Sequence, residues 1–65
     1  MKNNLREIRE KKNLSQQELA DLSGISRVTI SKIETQNDIN IKNNTILAIS
    51  KALNMSACKI FPIFK

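Results

Sequence analysis

Sixty-five residues make one domain, near the lower size at which a hydrophobic core holds a fold without staples. A single cysteine, Cys58, and no histidine exclude an internal disulfide and a cysteine–histidine zinc site, while 40% hydrophobic residues exclude a disordered tail. Eleven Lys and Arg against six Asp and Glu leave a net charge of +5, whose commonest physical use is attraction to phosphate and whose competing use is solubility alone.

The basic residues run from Lys2 to Lys12 and then through Arg27, Lys32, Lys42, Lys51, Lys59 and Lys65, a spread that predicts a folded basic face and not a basic arm. Met1 to Asn13 has no apolar run, and no stretch reaches the roughly 18 apolar residues of a membrane span. A soluble cytoplasmic protein with one domain over residues 1–65 is expected.

The first helix starts near Asn3 or Asn4, with Leu5, Ile8 and Arg9 on one face, and stops near Asn13. Ser15-Gln16-Gln17-Glu18 is a capping box, in which the Ser15 hydroxyl accepts from the Glu18 amide and the Glu18 carboxylate reaches back to the Ser15 amide. Leu19, Ala20 and Leu22 follow in this second helix. Gly24, the only glycine, closes it at a position that favours positive φ. Ser26 caps a third helix, Arg27 to Glu34, with Ile30 and Ile33 inward and Arg27, Val28, Ser31 and Lys32 outward.

Thr35 to Lys42 reads as a loop in which Ile39 and Ile41 alternate. A fourth helix begins near Asn43 or Asn44, buries Ile46, Ile49, Ser50 and Leu53, and ends at Asn54 as a left-handed cap. Ser56 caps a short fifth helix that runs to Phe61 and stops at Pro62. With no strand signal, the fold class is all-α.

Helices of these lengths at Ser15–Ser23 and Arg27–Glu34, joined by a tight turn, have the proportions of a helix-turn-helix. Ala20 is small where the two cross, Gly24 reverses the chain, and Ile25 and Ile30 fill the wedge between them. On spacing alone DNA binding and an ordinary αα-hairpin both remain open.

Leu14-Ser15-Gln16-x-Glu18-Leu19-Ala20-x-x-Ser23-Gly24-Ile25-Ser26-x-x-x-Ile30-Ser31-x-Ile33-Glu34 resembles the signature of the Cro/phage-repressor helix-turn-helix family of transcriptional regulators, the xenobiotic-response-element type. Leu5-Arg6-x-x-Arg9-x-x-Lys12 is similar to that family's first helix, and Thr45-Ile46-Leu47-x-Ile49-x-Lys51-Ala52-Leu53 to its fourth. The resemblance spans nearly the whole chain. It implies a compact five-helix, lambda-repressor-like domain that binds double-stranded DNA through helices 2 and 3.

Carried over by position, the resemblance gives Gln16 a DNA phosphate, supported by the amides and dipole of the helix 2 N-terminus. It places Ser26, Arg27, Val28 and Lys32 at base edges in the major groove. The Arg27 guanidinium matches the paired acceptors of guanine, Lys32 reads a base or takes a phosphate, and Val28 touches a thymine methyl. Thr29 and Ser31 fall at the rim, on backbone phosphates, with Lys42, Asn43 and Asn44 as further phosphate contacts. Arg9 and Glu34 form an ion pair that orients helix 3; two separate solvated charges are the competing reading.

The chain departs from the family after Glu34, where Thr35-Gln36-Asn37-Asp38-Ile39-Asn40-Ile41-Lys42 has neither the usual glycine nor the usual proline. Asn37 is a substitute for the glycine at positive φ, and Asp38 repels phosphate unless turned away.

Ile60-Phe61-Pro62-Ile63-Phe64 is strongly apolar for so small a chain. One of Ile60 and Phe61 is expected to close the core, and Phe61, Ile63 and Phe64 to form a homodimer interface across two half-sites about 34 Å apart. The competing arrangement folds the tail back onto helix 1. Cys58 reads as an ordinary thiol and not a redox sensor.

No histidine, phosphate-cradling glycine loop or carboxylate pair supports catalysis, and no cofactor or metal is expected. The functional expectation is a sequence-specific regulator, read as a repressor, of phage, plasmid or restriction-modification type. With no sensing segment after the fourth helix, no small-molecule effector is expected. The alternative is a helix-turn-helix protein-interaction module, such as an antitoxin that masks a partner protein; Arg27, Lys32 and the net charge favour DNA.

Overall fold

A computed structural model describes residues 3–36 and 40–62. Among these, the chain forms α1 (Leu5–Lys11), α2 (Gln16–Ser23), α3 (Arg27–Thr35), α4 (Asn43–Leu53) and α5 (Ala57–Ile60), with no strand. The fold is all-α. Helix α2 lies at the centre, packed on α3 and α4, while α1 rests on α3 and α5 on α4.

Helix ends explain why so short a chain folds this way. Asn13 adopts φ 59°, the Leu14 amide donates to the Arg9 carbonyl at 3.1 Å and the Asn13 amide to the Glu10 carbonyl at 3.0 Å, a Schellman closure of α1. Asn54, at φ 54°, repeats it after α4, with Met55 donating to Ser50 at 3.0 Å and Asn54 to Lys51 at 3.1 Å. Gly24, at φ 73°, ends α2 with a single bond from its amide to the Ala20 carbonyl at 2.9 Å. Three left-handed residues thus reverse the chain three times without strain, because glycine and asparagine tolerate that region.

The core is one cluster: Leu5, Leu19, Ala20, Ile30, Ile33, Ile46, Ile49, Leu53, Ile60 and Phe61. Ile8, Leu14, Ile25 and Ile41 are half-buried against it. The buried Ser50 hydroxyl donates back to the Ile46 carbonyl at 2.7 Å, so no bare polar group enters the core.

Leu22 in α2 is 60% exposed. Two expectations need correcting. Helix α5 ends at Ile60, one residue early, and the Ser56 hydroxyl makes no cap bond. Phe61 has no exposed surface and lies in the core of its own chain beside Ile60, so it offers nothing to a dimer interface. The Asn4 amide donates to the Ile60 carbonyl at 2.8 Å, which brings the start of the tail back onto the beginning of α1. Ile63 and Phe64, like Asn37, Asp38 and Ile39 of the loop, lie outside the described residues.

Candidate nucleic-acid interface

The N-termini of α2 and α3 are both built from local sequence. The Ser15 oxygen accepts from the Glu18 amide at 3.0 Å while Glu18 Oε1 accepts from the Ser15 amide at 2.8 Å, which closes the capping box and fixes the entry of α2. In α3, the Ser26 oxygen accepts from the Thr29 amide at 3.2 Å and its hydroxyl bonds Thr29 Oγ1 at 2.9 Å. The Ser26 proton and one lone pair are therefore spent on the cap, leaving it a single acceptor position for any base edge.

The outward face of α3 carries Arg27, Val28 and Lys32, all exposed, with Ser31 half-buried between them. Together with Gln16 from the first turn of α2 they line one open depression. Val28 is 64% exposed, an unusual place for a β-branched apolar side chain unless something apolar meets it. Thr29 faces the other side, where it lines a second depression with Ile33, Asn40, Ile41, Lys42 and Thr45. Asn43 and Asn44 are exposed in the first turn of α4, whose N-cap, Lys42, makes no side-chain cap bond. The first amides of that helix are thus not taken by a cap side chain.

Charge is sorted across the molecule. Helix α1 compensates its own cations: Arg6 pairs with Glu10 at 3.5 Å and Lys11 with Glu7 at 3.2 Å. Arg9 is taken by Glu34. Arg27, Lys32 and Lys42 have no ion-pair partner among the described residues, as is also true of Lys12, Lys51 and Lys59, so the exposed face of α3 and the start of α4 carry uncompensated positive charge without being its only place.

Glu34 ties the three helices together. Its Oε2 accepts from Arg9 Nε at 2.7 Å, and its Oε1 accepts from Arg9 Nη2 at 3.2 Å and from Gln16 Nε2 at 3.1 Å. Arg9 Nη1 also donates to the Leu14 carbonyl at 2.6 Å, just ahead of α2. The hydrogen bond to Glu34 raises the Arg9 guanidinium above the ordinary arginine value, against the opposing effect of burial. Both side chains are buried, at 10% and 1% exposure, so the fork is a fixed brace and not a surface pair.

Sequence reasoning missed two members of this assembly. Gln16 shares Glu34 with Arg9, and the Asn3 side-chain amide donates to the Ile33 carbonyl at 3.0 Å at the far end of α3. Neither bond has a local sequence signal, because each spans a sharp reversal of the chain.

A family model described as Helix-turn-helix matches residues 5–60. The chain is also similar to Control protein C.SmaI of Serratia marcescens, with 39% identity over 57 residues, which covers 88% of this chain and 67% of that protein.

Proposed function

This chain belongs to the helix-turn-helix family of the Cro/phage-repressor type, the DNA-binding transcriptional regulators, and from that premise we propose that it is a sequence-specific repressor acting as a homodimer. Such regulators are as a rule not enzymes. No helix among the described residues is long and apolar enough to cross a membrane.

The observation that carries the reading is the face of α3, where uncompensated Arg27 and Lys32 flank exposed Val28 beside Gln16. A helix of nine residues is about 13 Å long, the reach of a few base pairs along the major groove. Arg27 donates twice to guanine O6 and N7, and Lys32, five residues on, takes a second acceptor. Val28 between them meets a thymine methyl. Ser26, with its single free lone pair, is left at most one donor on a base.

Phosphate contacts flank the reading face. Gln16 has a second amide proton beyond the one given to Glu34, and the Ser31 hydroxyl lies in the same depression. Lys42, Asn43 and Asn44 offer the start of α4 to the next phosphates, with the Thr29 hydroxyl across the second depression. The similarity to a control protein supports a regulatory role. Ile63 and Phe64 are assigned to the dimer, so that two copies of α3 meet a palindromic operator one helical turn apart.

The test selects duplexes from a random-sequence pool with the purified protein and footprints the enriched sites. A palindrome protected by two protomers per duplex supports the proposal. Enrichment of unrelated sequences at a single affinity, with the same salt slope for all, would sink it. An antitoxin-like module would instead bind duplexes weakly and without sequence preference.

A further inference from the structure

The ends of the helices are not alike. Helices α1, α2 and α4 each stop at a left-handed residue, Asn13, Gly24 or Asn54. Helix α3 has its C-cap, Gln36, in extended backbone, φ −108° and ψ 117°. A helix that ends without a left-handed residue leaves carbonyls of its last turn to be satisfied from elsewhere.

In α3 three carbonyls near the C-terminus have identifiable partners among the described residues. Ser31 O accepts from the Thr35 hydroxyl at 2.8 Å, and Lys32 O from the Gln36 amide at 2.9 Å. Ile33 O accepts from Asn3 Nδ2 at 3.0 Å, across 30 residues of sequence. The same Asn3 uses its Oδ1 to accept from the Leu5 amide at 2.9 Å, which places its carboxamide at the start of α1. One side chain therefore caps the N-terminus of α1 with its oxygen and the C-terminus of α3 with its nitrogen.

We propose that Asn3 is a positioning residue for DNA reading: it supplies from outside the helix-turn-helix a side-chain cap to the C-terminus of α3, and so holds Lys32 and Glu34 in register. The functional half of this inference rests on the DNA-binding reading above; the capping half does not. Lys32 and Glu34 both sit in the last turn of α3, so fraying there disorders a reader and loosens the brace to Arg9 and Gln16 together. Arg27 and Val28, held by the Ser26 cap, are untouched.

Asn3→Asp isolates the effect, because aspartate keeps the oxygen that caps α1 and loses the nitrogen that caps α3. Asn3→Ser is the second variant, with a hydroxyl for the Leu5 amide and too short a reach for Ile33 O. In the full-length chain, amide hydrogen exchange of Gln36 is expected to quicken about tenfold in both variants while α4 amides keep their rates. The affinity ratio between a duplex enriched by the wild-type protein and a scrambled duplex of equal length is expected to fall about three- to tenfold. Unchanged Gln36 exchange overturns the cap. Faster exchange with an unchanged ratio, or uniform loosening of every helix, overturns the positioning role. If the wild-type protein enriches no duplex, the DNA reading itself has failed and the exchange of Gln36 alone decides on the cap.

Discussion

The guanidinium of Arg9 and the carboxylate of Glu34 meet as a fork, Nε to Oε2 at 2.7 Å and Nη2 to Oε1 at 3.2 Å, and join α1 to the last turn of α3. The fork matters because both ions are almost out of water. A buried charge that loses its partner costs far more than the pair contributes.

Arg9→Met is accordingly expected to lower stability by about 3–5 kcal/mol, since it leaves the Glu34 carboxylate buried and unpaired. In a domain of this size that is most of the total, and urea denaturation is expected to show a largely unfolded protein. The double variant Arg9→Met with Glu34→Met removes both charges and is expected to recover much of the loss. A double variant no more stable than Arg9→Met would contradict this account. The Arg9 value is raised in the folded state, so its contribution is complete below the ordinary arginine range and is lost only as pH rises through the raised value. Alkaline titration to about pH 10 therefore leaves that contribution in place.

Gly24 gives a smaller and purely conformational effect. A Cβ built there meets nothing within 4 Å, so the whole cost of Gly24→Ala is the φ of +73°. The expected loss is about 1–2 kcal/mol, with helical content by circular dichroism unchanged. Gly24→Asn is expected to lose less, because asparagine visits this region more readily. Equal losses for the two variants would point to something other than backbone conformation.

Phe61 separates the core from any dimer contact. As a ring with no exposed surface it is expected to cost about 3–5 kcal/mol when truncated to alanine, at every protein concentration. A contribution that came from self-association would instead grow with concentration. Thermal melts over a hundredfold dilution series distinguish the two, and a concentration-dependent deficit for Phe61→Ala would return this residue to an interface.

Local chemistry made much of this fold legible. The Ser15–Glu18 box, Gly24 and Asn54 act within a few residues, so their sequence context alone defines them. Burial was harder to read. Leu22 follows Leu19 and Ala20 in α2, yet it is exposed and lines an open depression beside Leu47 and Ala48 of α4. Phe61 sits in an apolar tail that reads as excess, but it is fully buried in the same cluster as Leu5, Leu53 and Ile60. The roles of Asn3 and Gln16 toward α3 depend on where the chain ends up after several reversals, and no window of sequence contains that information.

Arg27 and Lys42 are both cations without an ion-pair partner among the described residues, but they stand on different elements and should fail differently. Arg27 lies on the exposed face of α3 with Val28, where its planar fork suits the two acceptors of guanine. Arg27→Ala is expected to cost about 1–3 kcal/mol on the selected duplex and to relax preference at one base pair per half-site, with little change on scrambled DNA. Lys42 is the N-cap of α4 and makes no side-chain cap bond, and it is assigned a phosphate. Lys42→Ala is expected to weaken selected and scrambled duplexes alike and to flatten the slope of log affinity against log salt by about one per protomer. Titrations of both variants at several salt concentrations measure both quantities. If Lys42→Ala altered sequence preference and Arg27→Ala altered only the salt slope, the assignment of reading to α3 and of positioning to α4 would be reversed.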